Sequence, residues 1–215
     1  NVRAITLGSS TVTLSVGGGA AISFTTNRNL TFNAGTSQIN LTATSAVSLN
    51  SGGLSFYNVS FTGTTAVTHV ITGANTFNNL TLTAPSAAGL IQCTFSADQT
   101  INGTLTVSGS DAVHRIFVQS DTLGTTRTLT VNSLSANDCD FRDITITGTA
   151  AGTAPTRAGD CGGNTGVTFP APKTVYWNLA GSQNWSATGW ATSSGGTPAL
   201  ANFPLAQDTA VFDNT

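Results

Sequence analysis

The chain has no Glu, no Met and a single Lys, Lys173, and charged residues fill only 7 % of its 215 positions. An ordinary soluble domain carries roughly 25 %. Glu and Lys are the strong polar helix formers, so their scarcity argues against surface helices. No window shows apolar residues at 3.6-residue spacing. The net charge is −2 and the seven basic residues are scattered, which offers nucleic acid no basic surface. No run approaches the ~18 apolar residues of a membrane-spanning helix. Three cysteines, Cys93, Cys139 and Cys161, are an odd number at irregular spacing and form no disulfide framework. Cys93 and Cys139 lie in alternating strands as small inward-facing hydrophobes, and a bridge from Cys139 to Cys161 stays open. His69 and His114 have no Cys or second His at metal spacing and read as partly exposed strand residues. No nucleophile elbow or phosphate loop is present, and no cofactor is expected.

What is there is Thr, Ser, Asn and Gly set among β-branched and aromatic residues. Val12-Thr-Leu-Ser-Val16, Ile39-Asn-Leu41, Val47-Ser-Leu49, Leu80-Thr-Leu82 and Leu105-Thr-Val107 alternate with period two, giving one apolar face and one hydroxyl or amide face. Gly17-Gly-Gly19, Asn33-Ala-Gly35 and Asn50-Ser-Gly-Gly53 separate such runs, with residues that accept left-handed backbone angles at low cost.

One phrase recurs. It reads Phe56-Tyr-Asn-Val-Ser-Phe-Thr-Gly63, Phe77-Asn-Asn-Leu-Thr-Leu-Thr-Ala84 and Phe141-Arg-Asp-Ile-Thr-Ile-Thr-Gly148, with a looser copy over Ile101-Asn-Gly-Thr-Leu-Thr-Val-Ser-Gly109. Leu30 to Leu54, Val59 to Leu80, Leu80 to Leu105 and Leu105 to Leu129 step by 21 to 25 positions. Such a period means stacked coils, none of which buries its apolar face alone. The expectation is an all-β parallel β-helix (β-solenoid) of about six coils over residues 1–150. A β-sandwich, which also suits short strands, is the alternative.

Residues 151–173 read as a Gly/Ala/Thr/Pro-rich linker or closing loop, and residues 174–215 as an aromatic-rich β segment. All three Trp fall within the latter, beside Tyr176. Asn1-Val-Arg-Ala-Ile-Thr-Leu7 begins, and the run ending at Thr215 stops, as though in mid-strand, so the chain reads as an excerpt of something longer. The pattern Tyr176-Trp177, Gly181-Ser-Gln-Asn-Trp185, Trp190-Ala-Thr-Ser-Ser-Gly-Gly196 and Asp208-Thr-Ala-Val-Phe-Asp213 resembles repetitive β-solenoid modules of large phage virion (fibre or appendage) proteins and of bacterial surface adhesins. The resemblance implies that residues 174–215 open a further unit, and it implies no catalytic residues.

Asp138, Asp140 and Asp143 with Arg142 form the sharpest polar cluster. Three carboxylates invite comparison with a metal site or with the acid and base of a glycan-cleaving β-helix. A plainer reading has them capping turn N–H groups and pairing with Arg142. Tyr176, Trp177, Trp185 and Trp190 read first as a small core capping the solenoid, and second as a platform for sugar rings. Taken together, the residues lead to a non-enzymatic structural or adhesive segment of an extracellular fibre, and the resemblance implies a virion or tail appendage. A bacterial adhesin repeat and a β-helical glycan-degrading enzyme are the alternatives. The expected partners are other copies of the chain, other fibre proteins and surface glycans, at a virion surface or in the extracellular space.

Overall fold

The computed structural model describes residues 2–213 except Thr25, Ala43 and Ala88; Asn1 and Thr215, on which the expectation of mid-strand ends falls, lie outside the described residues. The alternating runs become short strands that wind into a parallel β-solenoid of about five turns, followed by a small sheet at the C-terminus. Apart from two single-turn 3₁₀ segments, Gly148–Ala150 and Leu200–Asn202, no helix is present among the described residues.

Three faces build the tube. The first holds β1 (Arg3–Thr6) on β4 (Leu30–Asn33), then the leading halves of β7 (Ser55–Thr62), β9 (Thr76–Thr83), β11 (Gln99–Ser108) and β13 (Arg127–Arg142), and ends on β14 (Ile144–Thr147). The second runs from β2 (Thr11–Leu14) through β5 (Gln38–Leu41) to the same four long strands. The third stacks β3 (Gly19–Ser23), β6 (Val47–Asn50), β8 (Thr68–Thr72), β10 (Ile91–Phe95), β12 (Ile116–Ser120), the end of β13, and β15 (Thr156–Asp160).

Side-chain alternation then fills the tube in columns. Val12, Ile39, Val59, Leu80, Leu105 and Leu134 are successive partners on the second face, and Leu14, Leu41, Phe61, Leu82, Val107 and Ala136 form the next column. On the first face Phe32 meets Phe56 at 5.2 Å and Phe56 stacks on Phe77 at 5.7 Å. Most of these side chains are fully buried from Ile39 onward, at about 25 cal/mol per Å² of apolar surface removed from water. A polar column occupies one corner. Ser51 donates to Asn75 Oδ1, and Asn75 and Gln99 bind each other and the carbonyls of Thr72, Gly73 and Ala97. Buried amides survive there because their donors and acceptors are matched.

The ladder corrects the spacing in two places. Val59 to Leu80 and Leu80 to Leu105 are true partners, but Leu105 faces Leu134 and Leu129 faces Gln99. A bulge between Ile101 and Thr104 absorbs one extra residue on β11. The phrase at Phe141 also sits one face away from its apparent copies. Phe56 pairs with Phe77, whereas Phe141 pairs with Val118 and Asp160.

The solenoid also runs past the boundary expected at residue 150. β15 is a rung against β13, and bridges at Thr145–Thr165 and Thr153–Val167 continue the winding through the expected linker. Cys93 and Cys139 face inward and are buried as expected. The bridge to Cys161 does not form: all three thiols are free, with Cys139 inside the tube and Cys161 exposed. His69 is a second correction. It is 2 % exposed, partnered with Cys93 across the ladder and 5.1 Å from the Phe61 ring. Its Nδ1 has no partner, and burial lowers its pKa to about 4.

Candidate functional site

The aspartate cluster grows out of the last turn of the winding. Asp138 and Arg157 both adopt left-handed backbone angles, φ 49° and 50°, a conformation that Asp tolerates better than most residues. They stand at matching points of β13 and β15, between the pairs Asn137–Thr156 and Cys139–Ala158. Arg157 Nε and Nη2 donate to the two carboxylate oxygens of Asp138 at 2.6 and 2.5 Å. Arg115 does the same for Asp140: Nε and Nη2 each donate at 2.8 Å. Its Nη2 also reaches the carbonyls of Cys139 and Arg157 at 2.7 Å, and its Nη1 lies 3.9 Å from Asp138. Arg115 is thus a buried cation wedged between two carboxylates. Fork-to-fork geometry of this kind gives the strong, directional class of ion pair.

Asp143 takes a separate job. Also left-handed at φ 55°, it accepts from the Gly124 N–H at 3.0 Å. Gly163 beside it is left-handed at φ 70°, which favours glycine, and a Cβ there would fall 2.1 Å from the Asp143 Oδ1 and displace the carboxylate. The turn-capping reading holds for Asp143. The expected partner Arg142 is present as a loose ion pair, its Nε 3.7 Å from Asp143, while its guanidinium also donates to Gln119 and lies 5.3 Å from the Phe117 ring centroid. The cations hydrogen-bonded to Asp140 and Asp138 are Arg115 and Arg157, 25 and 19 residues away in the chain. Among the described residues no three of His, Cys, Asp or Glu gather as a metal-binding group. His114 lies outside the cluster, its Nδ1 2.8 Å from Asp111.

The aromatic segment forms a three-stranded sheet in which β16 (Thr174–Trp177) pairs antiparallel with β17 (Trp190–Ala191) and parallel with β18 (Thr209–Phe212). Trp190 is its core, 1 % exposed. Trp185, Trp177 and Phe212 pack on it with centroids at 4.7, 5.0 and 5.5 Å. A Cβ on Gly189 would stand 2.8 Å from the Trp177 ring. Three of the four expected aromatics therefore converge. Tyr176, adjacent to Trp177 on β16, points to the opposite side of the sheet. Phe212 joins the cluster instead, and only the spacing of the final Asp-x-x-x-Phe-Asp run hinted at it.

The sheet is tied to the last rung of the solenoid through Gln207. Its Oε1 accepts from the Asp160 N–H at 2.9 Å, and its Nε2 donates to the Ala158 carbonyl at 3.1 Å. One side-chain amide thus stands in for a peptide group on the outer edge of β15, where an open edge would invite another strand. Asp208 fixes the loop by accepting from the Lys173 and Leu205 N–H groups at 3.0 and 2.9 Å. No sequence signal marks Gln207, since a lone Gln in a loop announces nothing.

Two depressions flank Trp185. One, of about 520 Å³, lies between the solenoid wall (Leu90, Phe117, Asp140) and the small sheet's loops (Trp185, Phe203, Leu205). The other, of about 500 Å³, is lined by Trp177, Gln183, Trp185 and Phe212. No family model, curated protein or solved structure matches the chain.

Proposed function

We propose that the chain is a non-enzymatic structural or adhesive segment of an extracellular fibre, in the first instance a virion or tail appendage. The observation that carries this reading is how the polar residues are used. Outward-facing hydroxyls and amides run in register down the solenoid, as Thr13, Asn40, Ser60, Thr81, Thr106 and Ser135 on one face and Ser55, Thr76, Thr100, Thr130 and Thr147 on another. The conspicuous carboxylates are engaged by Arg115, Arg157 and the Gly124 N–H. A glycan-cleaving β-helix needs two carboxyl groups set across a scissile bond; Asp138 and Asp140 are each clasped by a guanidinium instead, which weighs against that alternative. A rod of stacked rungs with an uncharged polar exterior suits a load-bearing or surface-displayed element.

An antibody raised against the recombinant chain, gold-labelled and imaged on native particles and cells, tests the assignment. Labelling on particle appendages is the expected result. Labelling confined to a bacterial envelope would transfer the chain to the adhesin reading.

A further inference from the structure

The solenoid exterior is hydroxyl and amide almost everywhere, yet one outward row reads Gln92, Phe117, Asp140 and Gly159. Beside it Leu90 is 64 % exposed, and across the cleft Trp185 is 49 % exposed. Large apolar side chains left in water at one concave place mark a binding site more often than chance exposure does.

We infer that this cleft binds a neutral pyranose unit of a glycan, stacked against Trp185 and hydrogen-bonded through its hydroxyls to Asp140. The ring of Trp185 is preset. It packs edge-on against Trp190 at 4.7 Å and Phe203 at 6.5 Å, and its carbonyl accepts from Trp190 Nε1 at 3.3 Å. A fixed aromatic surface loses little freedom on binding, and indole offers the C–H face of a sugar an apolar partner. Asp140 keeps 20 % of its side chain exposed. Arg115 takes two of the roughly four acceptor positions of that carboxylate, and the rest remain for hydroxyl donors.

The charge balance selects against other ligands. Arg115 neutralises Asp140: its Nε and Nη2 are engaged by Asp140 and two carbonyls, and its Nη1 is buried 3.9 Å from Asp138, shielded from solvent. Phosphate or carboxylate groups would therefore meet, in Arg115, a cation already paired with carboxylates and shielded from solvent. A peptide adding as a strand finds the β15 edge already bonded to Gln207. The volume of about 520 Å³ suits a small ligand, and the second depression shares Trp185, so a chain of more than one ring has room to continue. This goes beyond the fibre assignment, which stands whether or not the cleft is filled.

Titration of the intact chain with cellohexaose, maltohexaose and chitohexaose, followed by tryptophan fluorescence and calorimetry, tests the cleft. At least one of the three is expected to saturate with a blue-shifted emission. Trp185→Ala should weaken that binding about tenfold, the equivalent of one lost stacking contact, with the circular dichroism unchanged. Phe117→Ser, on the opposite wall and outside the tube interior, should weaken it as well. Absence of saturation by all three sugars up to about 10 mM, weaker than any specific site of interest, would overturn the inference. So would binding that survives undiminished in both variants.

Discussion

The last turns of the solenoid bury their inward side chains completely, whereas the first described coil buries them only in part. Phe141, Ile144, Ile146 and Ala158 are at most 1 % exposed. Phe169 covers Phe141 at 6.2 Å, Asn164 bonds the Phe141 carbonyl and the Ile144 N–H, and Gln207 closes the β15 edge. In the first coil Leu7, Val12, Leu14, Val16 and Ile22 point inward in the same way but remain half-exposed. The strands are alike at both ends, so the difference lies in what covers them. A rung gains full hydrophobic stabilisation only when it has a neighbour on both sides.

The largest effect should come from the last turns. Arg115→Met leaves Asp140 without its guanidinium and frees two carbonyls, with a loss of about 3–5 kcal/mol expected, measured by urea unfolding. A loss near zero would mean that the pair is ornamental. The comparison itself is tested by a matched pair of truncations. Ile146→Ala should cost about 2–5 kcal/mol and Leu14→Ala about 1 kcal/mol, because the half-exposed side chain has less burial to lose. Equal losses would erase the distinction between the ends.

A third test probes the middle of the stack. His69 has a folded-state pKa of about 4 against an ordinary 6.5. The unfolded chain therefore binds the extra proton first. Stability from this residue is complete above about pH 6.5, falls as pH drops towards 4, and levels off below, by roughly 3 kcal/mol at most. His69→Leu should flatten that segment of the stability–pH curve; an unchanged slope would place its origin elsewhere. The smallest effect is expected for Gln207→Ala, about 1–2 kcal/mol for two lost edge bonds, with faster exchange of the Asp160 amide as its local sign.

Much of this architecture was legible in the sequence. Runs such as Ile39-Asn-Leu41 and Leu80-Thr-Leu82 declare their inward residues by alternation, and the spacing of Val59, Leu80 and Leu105 gave the stacking directly. Register failed at Leu129, because longer corners stretch the step between these coils to 30 positions at Ile101–Val131, and the bulge near Gly103 brings it back only to 29 at Leu105–Leu134. The Phe141 phrase misled for a related reason: the same apolar–corner–strand chemistry serves more than one corner of the tube. His69 was not legible, since Val70 and Ile71 are adjacent apolar residues that blur which side of β8 faces inward. Of the candidate site, the aspartates and tryptophans were visible as residue types. The aspartates' partners Arg115 and Arg157, and Gln207 on the β15 edge, were not, because the winding alone brings them into reach.

Native-state hydrogen exchange, resolved by segment, tests the central claim most directly. The account predicts slow exchange through β9, β11, β13 and β14, protection of β15 that depends on Gln207, and markedly faster exchange in β1, β2 and β3. Uniform protection along the stack, or a first coil protected as strongly as β14, would contradict a stack whose inward side chains are fully covered at β14 and only partly covered at β1, β2 and β3.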